Sequence, residues 1–158
     1  MIIETANILD AEEILDLQKL CYISEAEIYS DETIPPLIQT IDEIKAEFQD
    51  YYFLKVVMEG KIIGSVRARI SHPGTCYIGR LIVHPNFQNK GIGTRLMGEI
   101  EKVFHGCERW ELITGHLSKK NIKLYEKLGY KIFKREEITP NLNLVHLEKI
   151  NKIGKDNC

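Results

Sequence analysis

A chain of 158 residues, 28% charged and 44% hydrophobic, has enough apolar material for one core and is too apolar for a largely disordered polypeptide. Its formal charge of −2 excludes a general nucleic-acid binder. Cys21, Cys76, Cys107 and Cys158 show neither CxxC pairing nor metal-ligand spacing, and the first residues lack a basic, apolar leader. The expectation is therefore a cytoplasmic protein with reduced thiols, without a metal and without a membrane partner.

Taken in chain order, Met1 to Thr5 reads as a short strand. Asn7 to Tyr22 carries apolar residues at helical spacing, with Asp10 and Glu13 as a capping box. The stretch 23-ISEAEIYSDETIPPLIQ-39 reads as an irregular acidic loop, long enough to be functional. A short helix follows from Thr40, capped by Thr40 or Asp42. From Tyr51 the period drops to two: 51-YYFLKVVMEG and 61-KIIGSVRARI flank a hairpin turn at Glu59-Gly60-Lys61, and 75-TCYIGRLIV follows a second turn. A helix from Gly91 to Phe104, a strand 109-RWELITG, a helix from Ser118 to Leu128 stopped by Gly129, and strands 130-YKIFKREEI and 142-LNLVHLEKI complete the series. The order β-α-α-β-β-β-α-β-α-β-β predicts one α/β domain of the α+β kind over residues 1–150, with a mixed central sheet flanked by helices. Residues 151–158 form a polar C-terminal tail.

Chemistry concentrates where the third of these strands runs into a helix. Gly91 and Gly93 permit close backbone approach at a helix entrance, whose first amides attract an anion, and Lys90 adds a cation beside them. The loop lacks both the Walker and the Rossmann spacing. Taken alone, the two glycines read better as a tight turn with Lys90 in solvent.

The full string 81-LIVHPNFQNKGIGTRLM resembles the acetyl-coenzyme A motif of the GNAT superfamily of N-acyltransferases, whose Arg/Gln-x-x-Gly-x-Gly/Ala pattern falls on Gln88, Gly91 and Gly93. The resemblance extends over nearly the whole chain and implies acetyl-CoA as the acyl donor. It implies that the backbone of Ile82 and Val83 holds the pantetheine arm. The amides of Gln88, Asn89, Lys90, Gly91, Ile92, Gly93 and Thr94 would surround the pyrophosphate. The segment 121-NIKLYEKLGY matches the family's Asn-x-x-x-Tyr-x-x-x-Gly-Phe/Tyr signature. It implies that Asn121 steadies the cofactor arm and that Tyr125 also contacts the cofactor, as proton donor to the departing thiolate.

The resemblance further implies direct attack by a primary amine in a ternary complex, with a non-catalytic acyl-CoA binding or sensing module as the alternative. The family builds its acceptor site largely from the loop after the first helix, which here carries Glu25, Glu27, Asp31 and Glu32. Glu27 and Glu32 are the leading base or substrate-binding candidates, with ordered water as an alternative route for the proton. Tyr77 and Arg80 stand on the central strand where some relatives place an acid. The acceptor is a small-molecule amine or an exposed protein amine, and the free edge of a mixed sheet admits a homodimer.

Overall fold

The computed structural model describes residues 1–152; the part of the predicted tail from residue 153 onward lies outside the described residues. Seven strands, β1 (Ile2–Thr5), β2 (Tyr52–Met58), β3 (Lys61–His72), β4 (Thr75–Val83), β5 (Arg109–Gly115), β6 (Lys131–Thr139) and β7 (Leu142–Ile150), hydrogen-bond in the order β1-β2-β3-β4-β5-β7-β6, a mixed sheet flanked by helices, as predicted. The chain forms two compact units, Met1–Arg69 with Arg80–Ile100, and Ile70–Gly79 with the segment from Glu101 onward.

In the first unit, β1 (Ile2–Thr5) pairs antiparallel with β2 (Tyr52–Met58), and β2 with β3 (Lys61–His72). Glu59 and Gly60 link β2 to β3 with φ values of 50° and 76°, the left-handed pair that a two-residue hairpin turn requires. Helix α1 (Ala11–Tyr29) buries Ala11, Ile14, Leu15 and Leu17 in a core shared with Ile44, Phe53, Ile62 and Ile82. Each fully buried aliphatic side chain there contributes roughly 1.5–3 kcal/mol.

Two sequence expectations change in this region. The capping box belongs to Asn7 and Asp10, on the 3-10 turn Ile8–Asp10. Glu13 instead accepts the Ile62 N–H at 2.7 Å. Second, α1 continues well past Tyr22. The segment 23-ISEAEIY-29 contains no Gly or Pro and buries Ala26 and Tyr29; its acidic composition gave it the look of a loop. The helix ends at Ser30, whose left-handed φ of 50° turns the chain toward the short α2 (Pro35–Ile38), which begins with the two prolines. Helix α3 (Ile41–Glu47) opens on the Thr40/Glu43 capping box.

A buried polar network ties these helices to the sheet. Arg67 of β3, only 2% exposed, donates to Gln18 Oε1 at 2.9 Å and Gln39 Oε1 at 3.2 Å, and pairs with Glu47 at 2.9 Å. Its guanidinium also lies 5.0 Å from the Phe53 ring centroid. Gln18 Nε2 donates in turn to Gln39 Oε1 and to the Pro36 carbonyl, both at 2.9 Å. Burial pulls the Arg67 guanidinium down to about 10 against the opposing pull of Glu47, so it stays charged at neutral pH.

In the second unit, the start of β4 (Thr75–Val83) pairs parallel with β5 (Arg109–Gly115) over Thr75↔Arg109, Cys76↔Trp110 and Tyr77↔Glu111. β5 then pairs antiparallel with β7 (Leu142–Ile150), and β7 with β6 (Lys131–Thr139). Among the described residues no helix is long and apolar enough to cross a membrane.

Because Arg67 joins groups from α1, α3 and the residue after α2, Arg67→Ala leaves the buried Gln18 Oε1 without a partner and Glu47 without its cation, while Gln39 Oε1 keeps the Gln18 amide. The expected loss is about 3–5 kcal/mol in a urea unfolding titration. A loss below about 1 kcal/mol would show that the network is dispensable.

Candidate functional site

The end of β4 and the loop after it form one cradle in the first unit. Ile82 is buried in the core, while the Val83 carbonyl accepts the Cys21 thiol at 3.3 Å and the Gln88 side-chain amide at 3.1 Å. His84 is a turn residue: its N–H donates to the Ile63 carbonyl at 2.8 Å and its Nδ1 accepts the Asn86 N–H at 3.1 Å. The 3-10 turn Pro85–Phe87 follows, and the Phe87 ring has His84 edge-on at 5.7 Å and the Lys90 ammonium at 5.7 Å.

Asn89 and Gly91, with φ values of 62° and 80°, then swing the chain into α4 (Ile92–Val103). A Cβ at Gly91 would meet nothing within 4 Å, so glycine is required there by the backbone angle and not by crowding. The first helical hydrogen bond runs from Arg95 N–H to the Gly91 carbonyl at 3.1 Å. The N–H groups of Ile92, Gly93 and Thr94 are therefore the first-turn donors, with no acceptor inside the helix. The buried side chains of Ile92, Leu96 and Ile100 anchor that turn. The cofactor-binding candidates Ile82, Val83 and residues 88–94 lie along this strand end, loop and first helical turn. A strand end suits an extended amide-containing arm, and first-turn amides beside Lys90 suit a diphosphate.

In the second unit, Asn121 and Tyr125 stand one turn apart on α5 (Lys119–Lys127), with Asn121 half-buried and Tyr125 buried. Tyr125 has the Tyr130 ring edge-on at 6.2 Å, and its carbonyl accepts the Tyr130 N–H at 3.0 Å. The Tyr130 hydroxyl donates to Glu101 at 2.9 Å, and burial, reinforced by Glu101, raises its pKa. Tyr125 therefore packs against a fixed, neutral phenol.

Glu27 and Glu32 line one open cavity of about 730 Å³ together with Ile23, Ala26, Asp31 and Leu37. Asp31 accepts the Thr33 hydroxyl and N–H at 2.6 and 2.8 Å, which lowers its pKa, the hydroxyl contributing more. Sequence reasoning treated Arg80 only as a missing acid. In the structure Arg80 has a left-handed φ of 51°, and its guanidinium lies 6.0 Å from the Tyr22 ring centroid. Burial raises the Tyr22 phenol despite Arg80 and Arg67, which both pull it down, so the ring stays neutral.

The cysteines divide in a way their spacing did not indicate. Cys21 and Cys76 are free thiols that burial pushes up to about 12. Cys107 is disulfide-bonded and departs from the reading of the cysteines as mostly reduced.

Residues 11–130 match the Acetyltransferase (GNAT) family. The UPF0157 protein YqkA of Bacillus subtilis is 30% identical over 122 residues, 76% of this chain and 34% of that protein. The chain spans between 34% and 63% of the length of the first curated relatives it matches. Among solved structures, smu.2055 from Streptococcus mutans superposes with a TM-score of 0.83 at 17% identity, covering 96% of this chain and 100% of that one. The PaiA N-acetyltransferase from Thermoplasma acidophilum, in complex with coenzyme A, gives 0.78 at 24% identity, covering 95% and 99%. With the family match covering most of its length and a fold shared with these structures, the chain belongs to the GNAT acetyltransferase family.

Proposed function

We propose that the protein is an acetyl-CoA-dependent N-acetyltransferase in which a primary amine attacks the donor directly in a ternary complex. The observation that carries this reading is the cradle from Ile82 to Thr94, where a strand end, a left-handed loop and a helix entrance follow one another within one compact unit. Acetyl-CoA supplies, when bound, an acetyl group activated as a thioester.

The chain's own residues supply the rest. The amides of Ile92, Gly93 and Thr94, with Lys90, hold the diphosphate, and the edge of Ile82–Val83 aligns the arm. The Val83 carbonyl already accepts the Gln88 amide and the Cys21 thiol, and an arriving amide N–H displaces the thiol, the weaker of the two donors. Asn121 steadies the arm and Tyr125 delivers a proton to the leaving sulfur, both assigned through the family signature. Glu27 and Glu32 hold the incoming ammonium and relay its proton to solvent. Cys21 and Cys76 are poor nucleophiles, because a thiol with a pKa of about 12 is thiolate to roughly one part in 10⁵ at pH 7.

A cytoplasmic setting and a small amine or exposed protein amine as acceptor complete the reading. Edge strand β6 exposes Phe133 and Ile138, which suits a homodimer.

An amine and peptide panel read by thiol release and product mass spectrometry tests the reaction. Acetylated amine is the expected product, whereas acetyl-CoA binding without thiol release across the panel would favour a sensing module. Tyr125→Phe is expected to lower kcat by about 10²-fold with acetyl-CoA affinity retained; unchanged kcat removes Tyr125 from the acid role. Rapid-quench mass spectrometry during turnover should find no acetylated Cys21 or Cys76, and its detection would replace direct attack with an acyl-enzyme. Gly91→Val forces a β-branched side chain into the left-handed region and should weaken acetyl-CoA binding about 10-fold by calorimetry.

A further inference from the structure

Arg80 occupies an unusual place. A non-glycine residue held at φ 51° inside a strand is strained, and such strain persists where the surroundings fix it and gathers at binding sites. Arg67, on the neighbouring strand, spends its guanidinium on Gln18, Gln39 and Glu47 and is a structural arginine. Arg80 is half-exposed and rests against Tyr22, whose phenol stays neutral and leaves the charge of the guanidinium uncancelled.

The surroundings connect this arginine to both halves of the reaction. Cys21 touches the Val83 carbonyl at the donor strand end, and Tyr22 is the next residue of α1. Ala26, four residues on and on the same helical face as Tyr22, lines the cavity that holds Glu27 and Glu32. Glu25 lies on the same stretch of helix and is the acidic group that acts on Tyr22, more weakly than Arg80 or Arg67. One side of the second half of α1 thus runs from the donor strand end, past a cation, to a group of carboxylates.

We propose that the acceptor is an amine bearing a carboxylate, and that Arg80 binds this carboxylate. The proposal deepens the acetyltransferase reading and rests on it. A guanidinium fork fits carboxylate and phosphate alike, but the carboxylates of Glu25, Glu27 and Glu32 repel a dianion about twice as strongly as a monoanion.

The test compares L-amino acids, their carboxamides, the matching amines without the carboxyl group and an aminoalkyl phosphate. Arg80→Asn is the informative variant, since asparagine tolerates left-handed backbone and removes the charge. The wild type should prefer the amino acids by about 10- to 100-fold in kcat/KM, the range of a charge-assisted pair. Arg80→Asn should abolish that preference through KM, leaving the carboxamides and acetyl-CoA affinity unchanged. Equal kcat/KM across the set, preference for the phosphate, or an equal loss on all acceptors in Arg80→Asn would overturn the proposal. Calorimetric titration of amino acid and carboxamide into the CoA-bound protein separates the two readings. A preference that Arg80→Asn removes, without thiol release from any amine, upholds the Arg80 assignment and overturns acetyl transfer. Absence of both a binding and a turnover difference overturns the assignment itself.

Discussion

The first unit is organised by a charge with almost no access to water. Arg67 stays protonated in a 2% exposed site because three side chains meet it there, and those side chains come from α1, α3 and the residue after α2. Removing one partner strands the others, so the network commits the helices to a single arrangement on β2 and β3. Apolar packing of Ile14, Leu17 and Ile44 supplies affinity between these elements but no direction. The polar network supplies direction, and the way the second half of α1 meets the end of β4 depends on it.

Around that meeting point, different kinds of atom carry the proposed tasks. The donor cradle is built mostly from main chain: a strand edge, left-handed residues at 89 and 91, and the first amides of α4. Main-chain chemistry recognises what all acyl-CoA molecules share. The proposed acceptor side consists of the side chains of Tyr22, Arg80, Glu27 and Glu32, and side chains of this kind are what can separate one amine from another.

The same contrast explains what could be read before the fold was known. A loop made of main-chain geometry leaves a compact imprint, because left-handed angles and helix entrances demand particular residues at fixed spacing; Gln88, Gly91 and Gly93 carry it. Periodicity found the strands and the Glu59-Gly60 turn for a similar reason, since each signal is local. The extent of α1 was missed because the acidic composition of 23-ISEAEIY-29 resembles a loop, whereas its helical state depends on burying Ala26 and Tyr29. Arg67 and Arg80 look alike on neighbouring strands, and only tertiary contacts distinguish the paired arginine from the one beside Tyr22. The cysteines were illegible for the same reason, their states being set by burial and by distant partners.

The side chains that line the acidic cavity take no part in the Arg67 network, whose hydrogen bonds on α1 stop at Gln18. Glu27, Asp31 and Glu32 are all exposed, and exchanges at such positions usually change stability by no more than about 0.5 kcal/mol. If these residues choose the acceptor, that choice can drift through single substitutions while the fold and the donor cradle stay intact. A duplicated gene of this design would have a short mutational route to a new amine, and relatives with similar donor loops should be expected to differ most between residues 23 and 37.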